Sequence, residues 1–204
     1  MPPSAIQFCF EFASTYSYPA ACRIEDVAGQ AGIPLEWRPF LLGPVFRSQG
    51  WNDSPFNLFP AKGRYMWRDL ERVCAKHGVP FRRPSQFPRS GLLAARIACV
   101  GAAEGWCPAF VRAVYRANFA DDRDIADPAV IIELLDALGQ PGPGLVARAA
   151  SPETKDQLRR QTETAAARGI FGAPSFLVGD ELFWGNDRLE DALARAAGRA
   201  GDRR

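Results

Sequence analysis

Two hydrophobic periods divide this chain. Residues 5 to 12, AIQFCFEF, alternate and then run apolar, the pattern of a mostly buried strand. Residues 17 to 31 place Ala20, Ile24, Val27, Ala28 and Ala31 on one helical face, with GIP as the stop. LEWRPF, residues 35 to 40, predicts a second strand, so the opening is a β-α-β unit with parallel strands. From about residue 60 to 165 the period is helical throughout. Residues 60 to 77 align Met66, Leu70, Val73 and Cys74, and helices follow over 91 to 104 and 108 to 119. Two further helices, 127 to 139 and 151 to 169, share one grammar. Asp127 and Ser151 are N-caps, Pro128 and Pro152 sit in the first turn, and Gly139 and Gly169 are stops. GQPGPG between them predicts a turn-rich connection. SFLV (175 to 178) and LFW (182 to 184) flank GDE as a tight antiparallel hairpin, and NDRLEDALARAAG predicts a closing helix.

That order predicts an α/β protein with a thioredoxin-like fold carrying an all-helical insertion. The two parts of the fold, about 1–45 and 150–204, would form one sheet, with the insertion over about 46–149. Composition adds exclusions. The 204 residues carry a net charge of +2 with both signs interspersed, which gives no reason to expect nucleic acid or an anionic membrane. The basic end, GRAGDRR, reads as a solvated tail. No stretch approaches the roughly 18 apolar residues of a membrane span, and MPPSAIQFCFEF lacks the basic region of a signal peptide. The five cysteines are widely spaced and form no Cys-x-x-Cys pair, so buried reduced thiols in a cytoplasmic protein are expected. The single histidine, His77, argues against a metal site or a histidine-based triad.

Candidate chemistry begins at STYS, residues 14 to 17, where a thioredoxin fold turns from its first strand into its first helix. Amide N–H groups and the helix dipole favour an anion there. Ser14 is far too basic to be a nucleophile without a nearby histidine. It can instead donate a hydrogen bond to an external thiolate, or simply cap the helix. Pro174, just before the third strand, is either an ordinary strand-opening proline or the residue that turns the Ala173 backbone toward an extended peptide. Asp187 with Glu190 fits a capping box. Equally, Asn186, Asp187 and Arg188 fit an amino-acid head group, with Asp187 on the ammonium and Arg188 on the carboxylate. Lys62 shares the face of Met66 and Leu70, where it either snorkels outward or pairs with an acidic substrate together with Arg47. Trp51, Phe56, Phe59, Trp67 and Phe87 are candidate aromatic walls or plain core.

The segments FEFASTYSYPA, FPAKGRYMWRDLERVCAKHGVPF and RGIFGAPSFLVGDELFWGNDRLEDAL resemble the 2-hydroxychromene-2-carboxylate isomerases. These are related to kappa-class glutathione transferases within the DsbA-like branch of the thioredoxin fold. The resemblance covers nearly the whole chain and is most specific in GAPSF and FWGNDRLE. It implies glutathione as cofactor, a cis bond at Pro174, a small aromatic carboxylate substrate and a homodimer. Ser14 would contact the glutathione sulfur, Ala173 and Pro174 its cysteinyl part, and Trp184, Gly185, Asn186, Asp187 and Arg188 its γ-glutamyl end. Arg47, Asn52 and Lys62 would line the substrate cleft, with Asn57 competing with Asn52. The family usually has proline after the serine, where this chain has Thr15. The implied activity is reversible thiolate addition that isomerises the chromene to a trans-benzylidenepyruvate. Glutathione conjugation of electrophiles, or glutathione or peptide binding without catalysis, uses the same residues.

Overall fold

The computed structural model describes residues 3–198, so nearly all of the basic GRAGDRR tail lies outside the described residues. Strand β1 (Ile6–Phe10) pairs in parallel with β2 (Leu35–Pro39) and antiparallel with β3 (Ser175–Val178), which pairs antiparallel with β4 (Glu181–Trp184). The sheet order is β2-β1-β3-β4, so segments from the two ends of the chain meet in one sheet. Alternation decides the faces. Ile6, Phe8, Phe10, Phe176 and Val178 belong to the main core, while Cys9 and Leu177 point to the opposite side and pack with Phe40, Val45, Ala165 and Ile170. Phe8 sits edge-on to Trp37 at 5.0 Å and stacks on Phe176 at 5.5 Å, both cross-strand partners in register. Each such ring, fully buried, is worth about 1.5–3 kcal/mol.

Helix α1 (Ser17–Gln30) connects the parallel strands. Between β2 and β3 lie α2 (Leu42–Ser48), α3 (Pro55–Leu58), α4 (Pro60–Lys76), α5 (Leu92–Glu104), α6 (Cys107–Phe119), α7 (Pro128–Ala137), α8 (Gly142–Ala149) and α9 (Pro152–Ala167). Helix α10 (Leu189–Ala196) closes the chain. The predicted caps form: Asp127 accepts the Ala129 N–H at 2.9 Å, and Ser151 accepts that of Thr154 at 3.2 Å. Helix α5 packs on β2 and α6 on α1, which joins the long helices to the core of the sheet.

Three helices depart from the sequence expectation. Helices α2 and α3 were not expected at all, and α8 begins inside the segment read as a turn-rich connection. In α8 the breakers sit in the first turn, where a missing N–H is harmless, and Leu145 and Ala149 then bury one face. The capping box, one of the two readings of Asp187 and Glu190, is absent among the described hydrogen bonds. A 3₁₀ turn, Asn186–Arg188, leads into α10, whose N-cap Arg188 makes no side-chain capping bond, and Glu190 pairs instead with Arg23 of α1.

Candidate active site

Where β1 ends and α1 begins, the chain turns at Glu11–Tyr16. The Ser14 N–H donates to the Glu11 carbonyl at 3.0 Å, and the Tyr18 N–H to the Thr15 carbonyl at 3.3 Å, which closes the turn. The Ser14 hydroxyl then does two things. It accepts the Ser17 N–H at 3.3 Å, a capping contact, and it donates to the Ala173 carbonyl at 2.8 Å, across 159 residues of sequence. The capping reading of Ser14 is therefore met, and the same atom links the start of α1 to the Ala173 carbonyl. No acidic side chain stands in the first turn of α1 and the N-cap residue Tyr16 makes no side-chain capping bond, so the Ser14 hydroxyl is the side-chain cap found there and no charge offsets the positive end of the helix in that turn. Thr15 leaves the Ser14 hydroxyl within reach of Ala173, but its own Oγ1 is buried without a partner.

A cleft of about 1320 Å³ opens on this turn. Ser14, Ala173, Trp184 and Gly185 line one side, and Arg47, Asn52 and Lys62 line the other, so seven of the expected site residues share a single cavity. Pro174, Asn186, Asp187 and Arg188 are not part of its lining. Pro174 follows a cis bond, as the resemblance implied, and its carbonyl accepts the Gly185 N–H at 3.0 Å. Asn186 is buried and accepts from Arg23 at 3.3 Å. Arg188 is held by Asp191 at 2.8 Å and Asp187 at 3.4 Å, which keep its pKa raised. The Asp187 carboxylate stands over Gly185, where φ is 112° and an added Cβ would meet Oδ1 at 2.4 Å. Gly185 is therefore required both for its backbone conformation and for this close approach. Asp187 is also near enough to Tyr16 to help hold that phenol's pKa up, after burial and the 2.8 Å hydrogen bond to Asp69.

Asn52 and Asn57 are now distinguished. Asn52 lines the cleft, whereas Asn57 donates to both carboxylate oxygens of Asp53 at 3.2 Å. Trp51, Phe56 and Phe87 form aromatic wall, while Phe59 and Trp67 do not; Trp67 backs Phe87 edge-on at 4.9 Å. Arg47 and Lys62 are exposed at the mouth and join no ion pair among the described residues, and Lys62 lies over the Phe59 ring at 4.7 Å. Lys62 both snorkels and faces the cleft.

Sequence reasoning missed Glu11, Tyr16, Phe46, Tyr65, Arg89 and Phe171, all of which line the cleft. Phe171 and Trp184 form an aromatic corner at 4.8 Å, and Gly172 makes room for it, since a Cβ there would meet the indole Nε1 at 2.4 Å. Glu11 had a signal: an acid inside a hydrophobic run at a strand end.

None of the five cysteines lines the cleft. Burial pushes Cys22 up to about 11 and Cys9, Cys74, Cys99 and Cys107 up to about 12, so the chain holds its own sulfurs as neutral thiols. A thiolate at Ser14 has to come from a ligand. The Ala173 N–H has no partner among the described hydrogen bonds, and it stands beside the Ser14 hydroxyl at the start of α1, a backbone edge of the kind that pairs with an extended peptide.

Residues 5–196 match the family of DSBA-like thioredoxin domains. A 2-hydroxychromene-2-carboxylate isomerase of Sphingobium xenophagum is 33% identical over 187 residues, 91% of this chain and 94% of that protein. Human glutathione S-transferase kappa 1 is 26% identical over 207 residues, 92% of this chain and 88% of that one. A solved structure of a 2-hydroxychromene-2-carboxylate isomerase superposes with a TM-score of 0.86 at 26% identity, covering 96% of this chain and 95% of the other.

Proposed function

Because this chain belongs to the 2-hydroxychromene-2-carboxylate isomerases of the DsbA-like thioredoxin family, we propose that it is a glutathione-dependent isomerase acting on a 2-hydroxychromene-2-carboxylate or a closely related aromatic acid. The observation that carries the reading is the Ser14 hydroxyl, placed at the start of α1 and 2.8 Å from the Ala173 carbonyl on the wall of the cleft. When bound, glutathione supplies a thiolate that adds reversibly to a conjugated carbon and so frees a double bond to rotate.

The chain's own residues do the rest. Ser14 turns its hydroxyl hydrogen from Ala173 to the sulfur and, with the N–H groups at the start of α1, favours the anion over the thiol. Lowering a thiol pKa from about 8.5 by two units takes about 2.7 kcal/mol of such preference. Ala173 offers its N–H and carbonyl to the cysteinyl backbone. Asp187, whose carboxylate stands over Gly185, takes the γ-glutamyl ammonium. Arg188, already held by two carboxylates, is less suited to the carboxylate role. Arg47, Lys62 and Asn52 meet the substrate carboxylate and the enolate oxygen, and Trp51, Phe56 and Phe87 flank its ring.

The test combines turnover with titration. The isomerisation is expected to require glutathione and to leave it unconsumed. Ser14→Ala is expected to raise the thiol pKa of bound glutathione by about 1–2 units, read by thiolate absorbance, and to lower kcat by about 10²-fold. Superimposable titrations of the two proteins would remove Ser14 from this role. Accumulation of a stable conjugate would make the protein a transferase.

A further inference from the structure

Among the described residues, Glu11 is the one buried acid of the cleft, and the proposed reaction does not use it. It is the residue at which β1 turns toward Ser14, and it lines the cleft while almost wholly shielded from solvent. Its two carboxyl oxygens are in different situations. Oε2 accepts the Ala13 N–H at 2.9 Å, which fixes the side chain. Oε1 makes no hydrogen bond among the described residues, yet it is not among the sealed, unpartnered polar atoms. It lies beside Gly91, where an added Cβ would meet it at 3.3 Å and the Phe12 Cβ at 2.7 Å. One oxygen anchors the group and the other is left to act in the cavity.

The chemistry of the substrate class has a place for it. A 2-hydroxychromene-2-carboxylate is a closed hemiketal, whose ring double bond is conjugated with the aryl ring but with no carbonyl. A thiolate has no activated carbon to attack until the ring opens. Opening moves one proton off the C2 hydroxyl and delivers one to the ring oxygen, a pair of transfers that a single carboxyl can perform.

Resting on the isomerase reading above, we propose that Glu11 is a catalytic residue that opens the chromene ring: its carboxylate takes the C2 hydroxyl proton as the C2–O bond breaks, then gives that proton to the phenolate. C2 becomes the ketone of an open-chain cis enone, the electron pair of the broken bond stays on the phenolic oxygen, and the carboxylate is regenerated. No oxidant, reductant or further reactant enters.

The surroundings suit a group that must work in both forms. Burial raises the Glu11 pKa to about 7, against the opposing pull of the Ala13 and Ser14 N–H groups. From α6, the Tyr115 hydroxyl donates to the Glu11 carbonyl oxygen at 2.8 Å, and its pKa is held well above the ordinary range by burial and by Glu11. From the loop before α5, Arg89 turns its guanidinium to Asp122 at 2.6 Å and to the Arg123 carbonyl at 3.0 Å. Tyr16, Arg47, Lys62 and Tyr65 line the same cleft.

The deciding experiment needs no glutathione. Wild-type protein without the tripeptide is mixed with the chromene, and relaxation to the open-chain enone is followed by its absorbance. Wild-type protein is expected to accelerate this relaxation, with a rate that rises through about pH 7 and then levels. Glu11→Gln is expected to remove the acceleration, and Glu11→Asp to restore part of it. In the glutathione-loaded proteins, Glu11→Gln should lower the rate on the chromene by about 10²-fold or more relative to the rate on the phenolic methyl ether of the cis enone, which cannot close. An equal loss on both substrates, or no acceleration by the wild-type protein, would overturn the assignment. Should Glu11→Gln not fold, the wild-type pH dependence decides alone, since a flat profile excludes a group titrating near 7. Failure of the isomerase reading looks different, as turnover of the methyl ether would then not depend on glutathione.

Discussion

At the scale of single residues, the buried Glu11 has a consequence for stability that is separate from its proposed part in ring opening. Its carboxyl titrates at about 7 in the folded protein and near the ordinary 4.5 once unfolded. Between those values the native state holds a proton that the unfolded state has released, so raising the pH across this window favours unfolding. The contribution is fully present below pH 4.5 and lost above 7. The span corresponds to about 3 kcal/mol, an upper figure for a group that relaxes when charged. Glu11→Gln, which stays neutral, is expected to lack this decline, so its thermal midpoint should fall below or match the wild type near pH 4.5 and exceed it at pH 8. Parallel pH curves for the two proteins would show that the carboxyl is not destabilised by burial. Ser14 and Thr15 add a contrast at the same scale. Ser14 satisfies an amide and a carbonyl at once, while the adjacent Thr15 hydroxyl is buried with neither, an arrangement that costs about 1–3 kcal/mol.

At the scale of elements, the cleft depends on close approaches that a side chain would block. Gly63 in α4 is the tightest: an added Cβ would meet the Phe56 carbonyl oxygen of α3 at 2.3 Å, a backbone atom with little room to move. Gly63→Ala is expected to destabilise the protein by about 1–3 kcal/mol, seen as a lower urea midpoint at unchanged slope. It should also weaken substrate binding, because Phe56 and Lys62 both line the cleft from this corner. The thiolate titration of bound glutathione, set at the other side by Ser14, should not move. These elements also show what sequence pattern reveals. The strands, α1, α4 to α7, α9 and α10 were legible because each carries a sustained period or a proline-and-cap start; Asp127 and Ser151 form the very bonds that their positions imply. Helices α2 and α3 were not, since a turn or two of LGPVFRS or PFNL repeats too few times to display a period and its breakers dominate. Ser14, Ala173 and Gly185 could be assigned to one site only through the fold, being brought together from 171 residues apart by sheet order. Glu11 was passed over because an acid inside an apolar run reads as the edge of a strand, and only the cavity shows where its carboxyl goes.

At the scale of the whole molecule, the cleft is lined by the ends of β1 and β3 and by α2 to α4. A net charge of only +2 gives the protein little long-range field, so attraction of an anionic substrate has to be local. On the proposed function Arg47 and Lys62 provide it: both are exposed where they line the cleft, and neither is neutralised by a carboxylate among the described residues. Because both are exposed, each is worth at most about 1 kcal/mol to a bound carboxylate. Replacing both with alanine should therefore raise KM for the chromene carboxylate by roughly tenfold, since 1.4 kcal/mol is a factor of ten. The distinguishing readout is salt. With a Debye length of about 8 Å at 0.15 M, KM of the wild-type protein should rise with ionic strength. In the double variant that dependence should flatten, and a neutral amide of the same substrate should bind both proteins alike. An unchanged salt slope would mean that the carboxylate is held elsewhere in the cavity, where Asn52, Tyr65 and Arg89 are among the other donors on its walls.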